Sequence, residues 1–334
     1  MTGGARYLVF ETGGTKLAAG VAAEDGRLLE LQSFRRGEGD RAEQSLGRLI
    51  EAGLALRRRR ESEGASFRGI GFGFGGAVDR STRRPWPCLH EPGWEAIDLP
   101  AELQRTFDLP AAIENDAKLA ALGEAIFGAG RGAETLLYLT LGTGVGGGLV
   151  RRGRIVELND AGEIEIGHVV VEPSGPPCPC GGRGCLEAIC SGPGLSRMAL
   201  EMANREPALW ARSPLFQPSR EAPPAERCFA AWRAGDAFAA AVIERAAEGL
   251  ATAVAAAASL LAPNRVVIGG GVGANNPDFL ELAQERSRPR VAPYFRNAFT
   301  IAPSELGEKA VPQGAGALAA QRFGAMRDSS RLPH

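Results

Sequence analysis

Two stretches of the chain, roughly 130 residues apart, repeat one order of elements, and that repeat limits the fold more than any other feature of the sequence. In the first, residues 7–10 read as a buried strand, Gly13-Gly14 as a loop and residues 17–22 as a second strand. Asp25-Gly26 follows as a hairpin turn, and residues 27–34 read as a third strand. In the second, the series is strand 136–141, loop Gly142-Thr143-Gly144, strand 147–150, turn Arg152-Gly153 and strand 154–157. A strand–glycine loop–strand–tight turn–strand unit used twice predicts two similar α/β halves, each offering a glycine- and threonine-bearing loop.

The intervening sequence fits such halves. Leu46, Leu49, Ile50 and Leu54 recur at helical spacing within residues 41–60, and residues 69–74 read as a strand running into Gly75-Gly76. Residues 111–113 form a short strand, then Glu114-Asn115-Asp116, then a helix with Leu119, Leu122 and Ile126 on one face. Further on, helical spacing covers 234–262, a strand 265–268, and helices 277–285 and 314–323. The Pro- and Arg-rich stretch 203–227 reads as a loop or insertion outside the core, and residues 328–334 as a frayed end.

Composition excludes several classes. With 334 residues the chain has length for about two domains. Lys and Arg number 38 against 39 Asp and Glu, a net charge of −1, so no global field favours nucleic acid or an anionic membrane. The basic run Arg57 to Arg60 ends a surface-type helix, where cations favour the dipole, and no aromatic residues interleave with it. The longest weakly polar stretch, residues 250–262, is alanine-rich and too short to span a bilayer, and residues 1–10 show no signal-peptide pattern, so a cytoplasmic location is expected.

Four segments carry chemistry. Glu11-Thr12-Gly13-Gly14-Thr15-Lys16 joins two strands. Its glycines let backbone N–H groups approach a phosphate, while Thr15 and Lys16 add a hydroxyl and a charge. Read blandly, it is a hairpin with a polar rim. Gly142 to Gly147 has the spacing of a dinucleotide loop but continues into strand, whereas a Rossmann loop must open a helix. Gly269 to Gly273 does follow a strand and precede a helix, yet lies too near the end for a full dinucleotide domain. Asp116 stands at a strand-to-helix junction, where a carboxylate is either a cap or a base for a substrate hydroxyl. His168, Cys178, Cys180 and Cys185 form a closed one-nitrogen, three-sulfur set for a structural zinc, with Gly181, Gly182 and Gly184 supplying tight turns. Cys88, Cys190 and Cys228 are left as buried thiols.

Taken together, these segments resemble the ROK family of sugar kinases and related repressors, within the actin-like ATPase and hexokinase superfamily, from about residue 7 to residue 323. The most specific piece is Gly167-His168 followed by Cys178-Pro-Cys180 and Cys185-Leu186-Glu187, which looks like the family's zinc signature. The resemblance implies two ribonuclease-H-like (actin-like ATPase) α/β domains with a cleft between them. The first covers residues 1–115, completed by a C-terminal helix at about 305–325; the second covers 116–304 with the zinc knuckle; 326–334 is a tail. It implies an ATP-dependent kinase acting on a hexose hydroxyl, glucose O6 first, then fructose, then N-acetylhexosamine or mannose, with Mg²⁺, a structural Zn²⁺ and a homodimer. By resemblance Asp116 is the catalytic base. Gly76, Asn115, Glu165, His168 and Glu187 hold the sugar. Glu11, Gly13, Gly14, Thr15, Lys16, Gly142, Thr143, Gly144, Gly270 and Gly271 serve the nucleotide and its metal.

Two positions depart from the family pattern: Glu11 replaces the usual Asp, and Gly75 replaces a common Pro, which is expected to loosen the segment near the sugar. Three rival readings are weighed against the kinase. A repressor needs a helix-turn-helix domain before the first loop, an NAD-dependent oxidoreductase needs a complete β-α-β unit, and a catalytically silent sugar-binding regulator would bind hexose without turning over ATP.

Overall fold

In the computed structural model, residues 4–14, 16–37, 39–87, 92–158, 164–215 and 221–324 are described. The chain begins with three antiparallel strands, β1 (Ala5–Thr12), β2 (Lys16–Ala22) and β3 (Leu28–Arg35). Helix α1 (Ala42–Ser62), β4 (Ser66–Phe74), α2 (Leu99–Phe107), β5 (Ala111–Asn115) and α3 (Asp116–Phe127) follow. The sheet order is β3-β2-β1-β4-β5, with β4 parallel to β1 and β5 parallel to β4.

The second series contains β6 (Thr135–Leu141), β7 (Val145–Arg151), β8 (Arg154–Ile155), α4 (Leu186–Cys190), α5 (Gly192–Arg205), α6 (Pro207–Trp210), α7 (Ala225–Arg233) and α8 (Ala237–Leu261). It continues through β9 (Arg265–Gly269), α9 (Gly270–Ala274), α10 (Pro277–Ser287) and β10 (Thr300–Pro303) to α11 (Ala310–Phe323). Its sheet runs β8-β7-β6-β9-β10, again with three antiparallel strands followed by two parallel additions. The repeat in the sequence is therefore a repeat of topology, and the fold is α/β with two mixed sheets.

Two compact units result. One takes the chain as far as Phe127, residues 157–163 and the chain from Lys309 onward; the other is Gly128–Val156 with Ile164–Glu308. Helix α3 falls in the first unit because α11 packs along it and across β4. Strand β1 is buried almost throughout, since it lies mid-sheet with α1 against one side of its contacts and α11 also packed on it. Buried Gln313 of α11 ties down the β2–β3 turn, donating to the Gly26 carbonyl at 2.9 Å and accepting from the Leu28 N–H at 3.2 Å. The first core is aromatic, with Phe10 against Phe107 and Phe74 against Trp94.

The second core is built around α8, whose buried alanines let neighbours approach closely and whose start is capped by Asp236 accepting from the Ala239 N–H at 2.8 Å. Here one expectation fails. The stretch 203–227 is not outside the core: α5 runs to Arg205, α6 follows, and Trp210 is buried with its ring 5.0 Å from that of Phe238. Prolines and arginines hid a short helix whose single tryptophan supplies the packing. Cys190 and Cys228 are buried thiols as expected, and Cys88 lies outside the described residues. Among the described residues, no helix is long and apolar enough to cross a membrane.

Candidate active site

In the first unit the β1–β2 connection is a tight loop. Gly13 donates its N–H to the Lys16 carbonyl at 2.9 Å, and the Lys16 ammonium lies 3.3 Å from the buried Glu11 carboxylate. Thr15 lies outside the described residues. Among the described residues, nothing lies within 4 Å of a Cβ built on Gly14. Packing among the described residues therefore does not require a glycine there. Gly75 behaves oppositely. A Cβ on it would stand 2.8 Å from the Thr12 carbonyl oxygen, so the segment after β4 is pressed against the loop backbone, and the expected loosening at Gly75 is not found.

The end of β5 meets α3 at Asn115 and Asp116. Asn115, which is buried, donates from Nδ2 to the Gly76 carbonyl at 3.0 Å and accepts the Lys118 N–H on Oδ1 at 3.1 Å. It therefore performs the capping that the sequence leaves open between Asn115 and Asp116. Asp116 occupies the first position of the helix, half-buried, its carboxylate accepting from the Ala117 N–H at 2.7 Å. Asp116 thus places a carboxylate at the positive end of the helix without serving as its cap.

In the second unit the β6–β7 loop is suspended from α4 and α5. Gly142 donates to the Gly144 carbonyl at 3.0 Å, and its own carbonyl accepts the Gly192 N–H at 2.8 Å. The Glu187 carboxylate accepts the Val145 N–H at 2.9 Å, and a Cβ on Gly144 would fall 2.8 Å from that same carboxylate oxygen. Gly167 lies closer still to the same residue: a Cβ on it would meet the Val145 carbonyl oxygen at 2.2 Å. Val145, the first residue of β7, thus joins the Glu165–His168 stretch to the segment carrying Glu187. Thr143 is exposed at the tip, and the space beside Gly142 is open, with only Thr140 Oγ1 at 4.0 Å among the described residues. Gly270 takes a φ of +74° directly against Leu141, while Gly271 has nothing within 4 Å among the described residues.

His168, Cys178, Cys180 and Cys185 place one donor atom each within 4.8 Å of one another. Cys180 and Cys185 sulfurs are 3.7 Å apart, and His168 Nδ1 is 3.8 Å from Cys178 Sγ. Four donors at ~2.3 Å around a tetrahedral zinc would be spaced ~3.8 Å, so the set fits that ion. Burial and the neighbouring sulfurs push Cys185 up to about 12, and burial also raises Cys178. Cys180 is instead held below its ordinary value by hydrogen bonds from the Gly182 backbone and Cys178, and a cation among the three sulfurs would favour the thiolate of each. The other ring nitrogen of His168, Nε2, faces Glu165 at 3.8 Å. That division of labour leaves one edge of the imidazole for a metal and the other for a carboxylate or a hydroxyl.

The expected residues fall into two groups. Glu11, Gly13, Gly14, Lys16, Gly76, Asn115 and Asp116 belong to the first unit, and Gly142 to Gly144, Glu165, His168, the three cysteines, Glu187, Gly270 and Gly271 to the second. Sequence reasoning missed the side chains that hold these groups: Lys118, whose ammonium lies 3.4 Å from buried Glu114, and Arg83, 3.0 Å from the same carboxylate. The i,i+4 spacing of Glu114 and Lys118 was the one local signal for the former.

The chain is similar to known proteins of one family. The chain matches the ROK family over residues 7–322. It is 33% identical over 314 residues to a glucokinase of Thermotoga maritima, covering 94% of this chain and 97% of that protein. Among solved structures it resembles a ROK hexokinase from Thermus thermophilus, with a TM-score of 0.78, 30% identity, and coverage of 95% of this chain and 98% of that one. A ROK family glucokinase from Streptomyces griseus, in complex with glucose and AMPPNP, matches with a TM-score of 0.73 and 30% identity over 95% of this chain and 99% of that one.

Proposed function

The chain belongs to the ROK family, and from that premise we propose that it transfers the γ-phosphoryl group of ATP to O6 of glucose, working as a cytoplasmic homodimer with one structural zinc per chain. It is a hexose kinase, as its glucokinase and hexokinase relatives are. The observation that carries the residue assignment is the β5–α3 junction, where Asn115 takes the cap and leaves the Asp116 carboxylate at the helix start.

Phosphoryl transfer asks for positioning and charge stabilisation more than for covalent chemistry. The open glycines 14, 142 and 271 let backbone N–H groups approach the nucleotide, with Lys16 adding a cation. Mg²⁺, bound with ATP, supplies charge neutralisation at the transferring group; the acidic side chain suited to its shell is Glu11. Asp116 orients the attacking hydroxyl and accepts its proton as the new bond forms. Glu165, His168 Nε2, Asn115 and Glu187 pair with the remaining hydroxyls. Glu187 keeps one oxygen on the Val145 N–H, and a carboxylate has lone pairs to spare on the other.

The substrate is tested by kcat/KM for glucose, fructose, mannose and N-acetylglucosamine at one ATP concentration, with position-resolved NMR of the product. Glucose is expected to lead, since a site built to pair with hydroxyls penalises a sugar that misplaces one. A lead for fructose of about tenfold or more, the discrimination a single misplaced contact can produce, would overturn the glucose assignment. No phosphorylation of any hexose by intact, zinc-loaded protein would overturn the kinase.

Nucleotide binding makes a separate prediction. Gly14→Val places its side chain in space that is open among the described residues, so the melting temperature is expected to hold. Because the loop backbone can then no longer approach a phosphate, KM for ATP is expected to rise at least ~10-fold. An unchanged KM for ATP would remove this loop from the nucleotide site.

A further inference from the structure

After β4 the chain makes a small hairpin. Ala77 and Trp86 share a 2.9 Å backbone hydrogen bond, Val78 bridges to Pro85, and the Asp79 N–H donates to the Arg84 carbonyl at 2.9 Å. The turn is locked by the Asp79 carboxylate, which accepts from the Thr82 N–H and hydroxyl at 2.7 Å each and from the Ser81 hydroxyl at 2.8 Å. Its next residue, Arg83, has a φ of +57°, in the left-handed region where glycine sits without strain and a long side chain does not.

The guanidinium explains the residue. Arg83 donates to Glu114 at 3.0 Å and to Glu157 at 2.9 Å, and Arg80 reaches the other Glu157 oxygen at 2.6 Å. Glu114 is almost wholly buried, its side chain 3% exposed, and its second oxygen lies 3.4 Å from the Lys118 ammonium. Glu157, Glu114 and Arg83 all belong to the first unit. Burial would raise the Glu157 carboxyl, but hydrogen bonds and charges from Arg83 and Arg80 outweigh it and hold the group below its ordinary value. Two successive residues at the end of β5 therefore grip the same hairpin: Asn115 holds its root through the Gly76 carbonyl, and Glu114 holds its tip through Arg83.

We infer that Arg83 is a positioning residue for phosphoryl transfer, fixing the hairpin that follows β4 on Glu114 so that Gly76, Asn115 and Asp116 present the sugar hydroxyl in one geometry. The inference rests on the hexose-kinase reading. A backbone outlier is kept where the surrounding structure holds it for a purpose, and here the purpose is a buried carboxylate beside the proposed base. A residue serving only the turn would be best replaced by glycine; a residue serving through its guanidinium would not.

That contrast is the test. Wild type, Arg83→Gly and Arg83→Lys are compared for melting temperature, kcat, and KM for both glucose and ATP. Arg83→Gly relieves the positive φ but leaves the buried Glu114 carboxylate without its guanidinium, so its melting temperature is expected to fall, while kcat/KM for the sugar falls ~10-fold or more and KM for ATP stays put, as for loss of an orienting group. Arg83→Lys is expected to recover part of that loss, because an ammonium still pairs with Glu114 but cannot span both carboxylates. Wild-type sugar kinetics in Arg83→Gly, or equal losses in sugar and ATP terms, would overturn the positioning role while leaving the kinase intact. An inactive wild-type enzyme would instead overturn the reading on which it rests.

Discussion

Asp116→Ala is expected to lower kcat by ~10²- to 10⁴-fold, the usual effect of removing a positioned general base, with glucose affinity and melting temperature nearly unchanged. The stability half of this expectation follows from the division of roles at the β5–α3 junction. Asn115, not Asp116, accepts the Lys118 N–H, so the helix keeps its cap when Asp116 is truncated. Asp116 contributes to the helix its bond from the Ala117 N–H and a favourable charge in the first turn, the latter worth ~0.3–1 kcal/mol. Asn115→Ala makes the complementary case: loss of a cap costs ~1 kcal/mol, and the Gly76 carbonyl loses its donor, so both stability and sugar KM should worsen together. Steady-state kinetics and thermal melts of the two variants separate the roles. If Asp116→Ala kept more than about a tenth of wild-type kcat, outside the range for loss of a base, Asp116 would be only a first-turn carboxylate.

Much of this was legible because the relevant signals are local or repeated. Glycine-threonine loops between strands and paired hairpin turns announced the duplicated sheet, and the order β3-β2-β1-β4-β5 recurs as β8-β7-β6-β9-β10. Cysteines two and five residues apart leave little freedom in where their sulfurs go, so the knuckle could be read from spacing together with His168. Other features carry no such signal. Arg83 meets Glu114 across 31 residues and Glu157 across 74, and nothing in the periodicity of an Arg-rich turn indicates which of its arginines is turned inward. Glu187 reads as a sugar ligand, while its bond to Val145 appears only once β7 has packed beside α4. Gly75 reads as slack in sequence and proves to be close packing, because a missing Cβ can permit either freedom or contact. The buried Trp210 was lost for a related reason: propensity weighs the prolines around it, and tertiary packing decides.

Metal removal is expected to reach further than the knuckle. Purified protein should carry about one zinc per chain, as a single closed four-ligand site requires. Cys180→Ser is the cleanest way to break the site, since Cys180 is exposed while Cys178 and Cys185 are buried, so the substitution leaves no hole in the interior. It should release the metal and weaken hexose binding ~10- to 100-fold, the scale on which disturbing the surroundings of a metal site is felt. The route is short. Cys185 is followed at once by α4, whose Glu187 holds the Val145 N–H, while His168 ends the stretch whose Gly167 lies against the Val145 carbonyl. Val145, where the β6–β7 loop enters β7, is thereby held at its N–H and packed at its carbonyl by residues next to the proposed metal ligands, so the loop should loosen when the ion leaves. Hydrogen exchange of stripped protein should accordingly rise in residues 142–145 as well as in 168–187, and KM for ATP should rise with KM for sugar. Zinc-free protein with full activity would sink the assignment; metal loss confined in its effect to residues 168–187 would leave the zinc in place but cut its link to the loop.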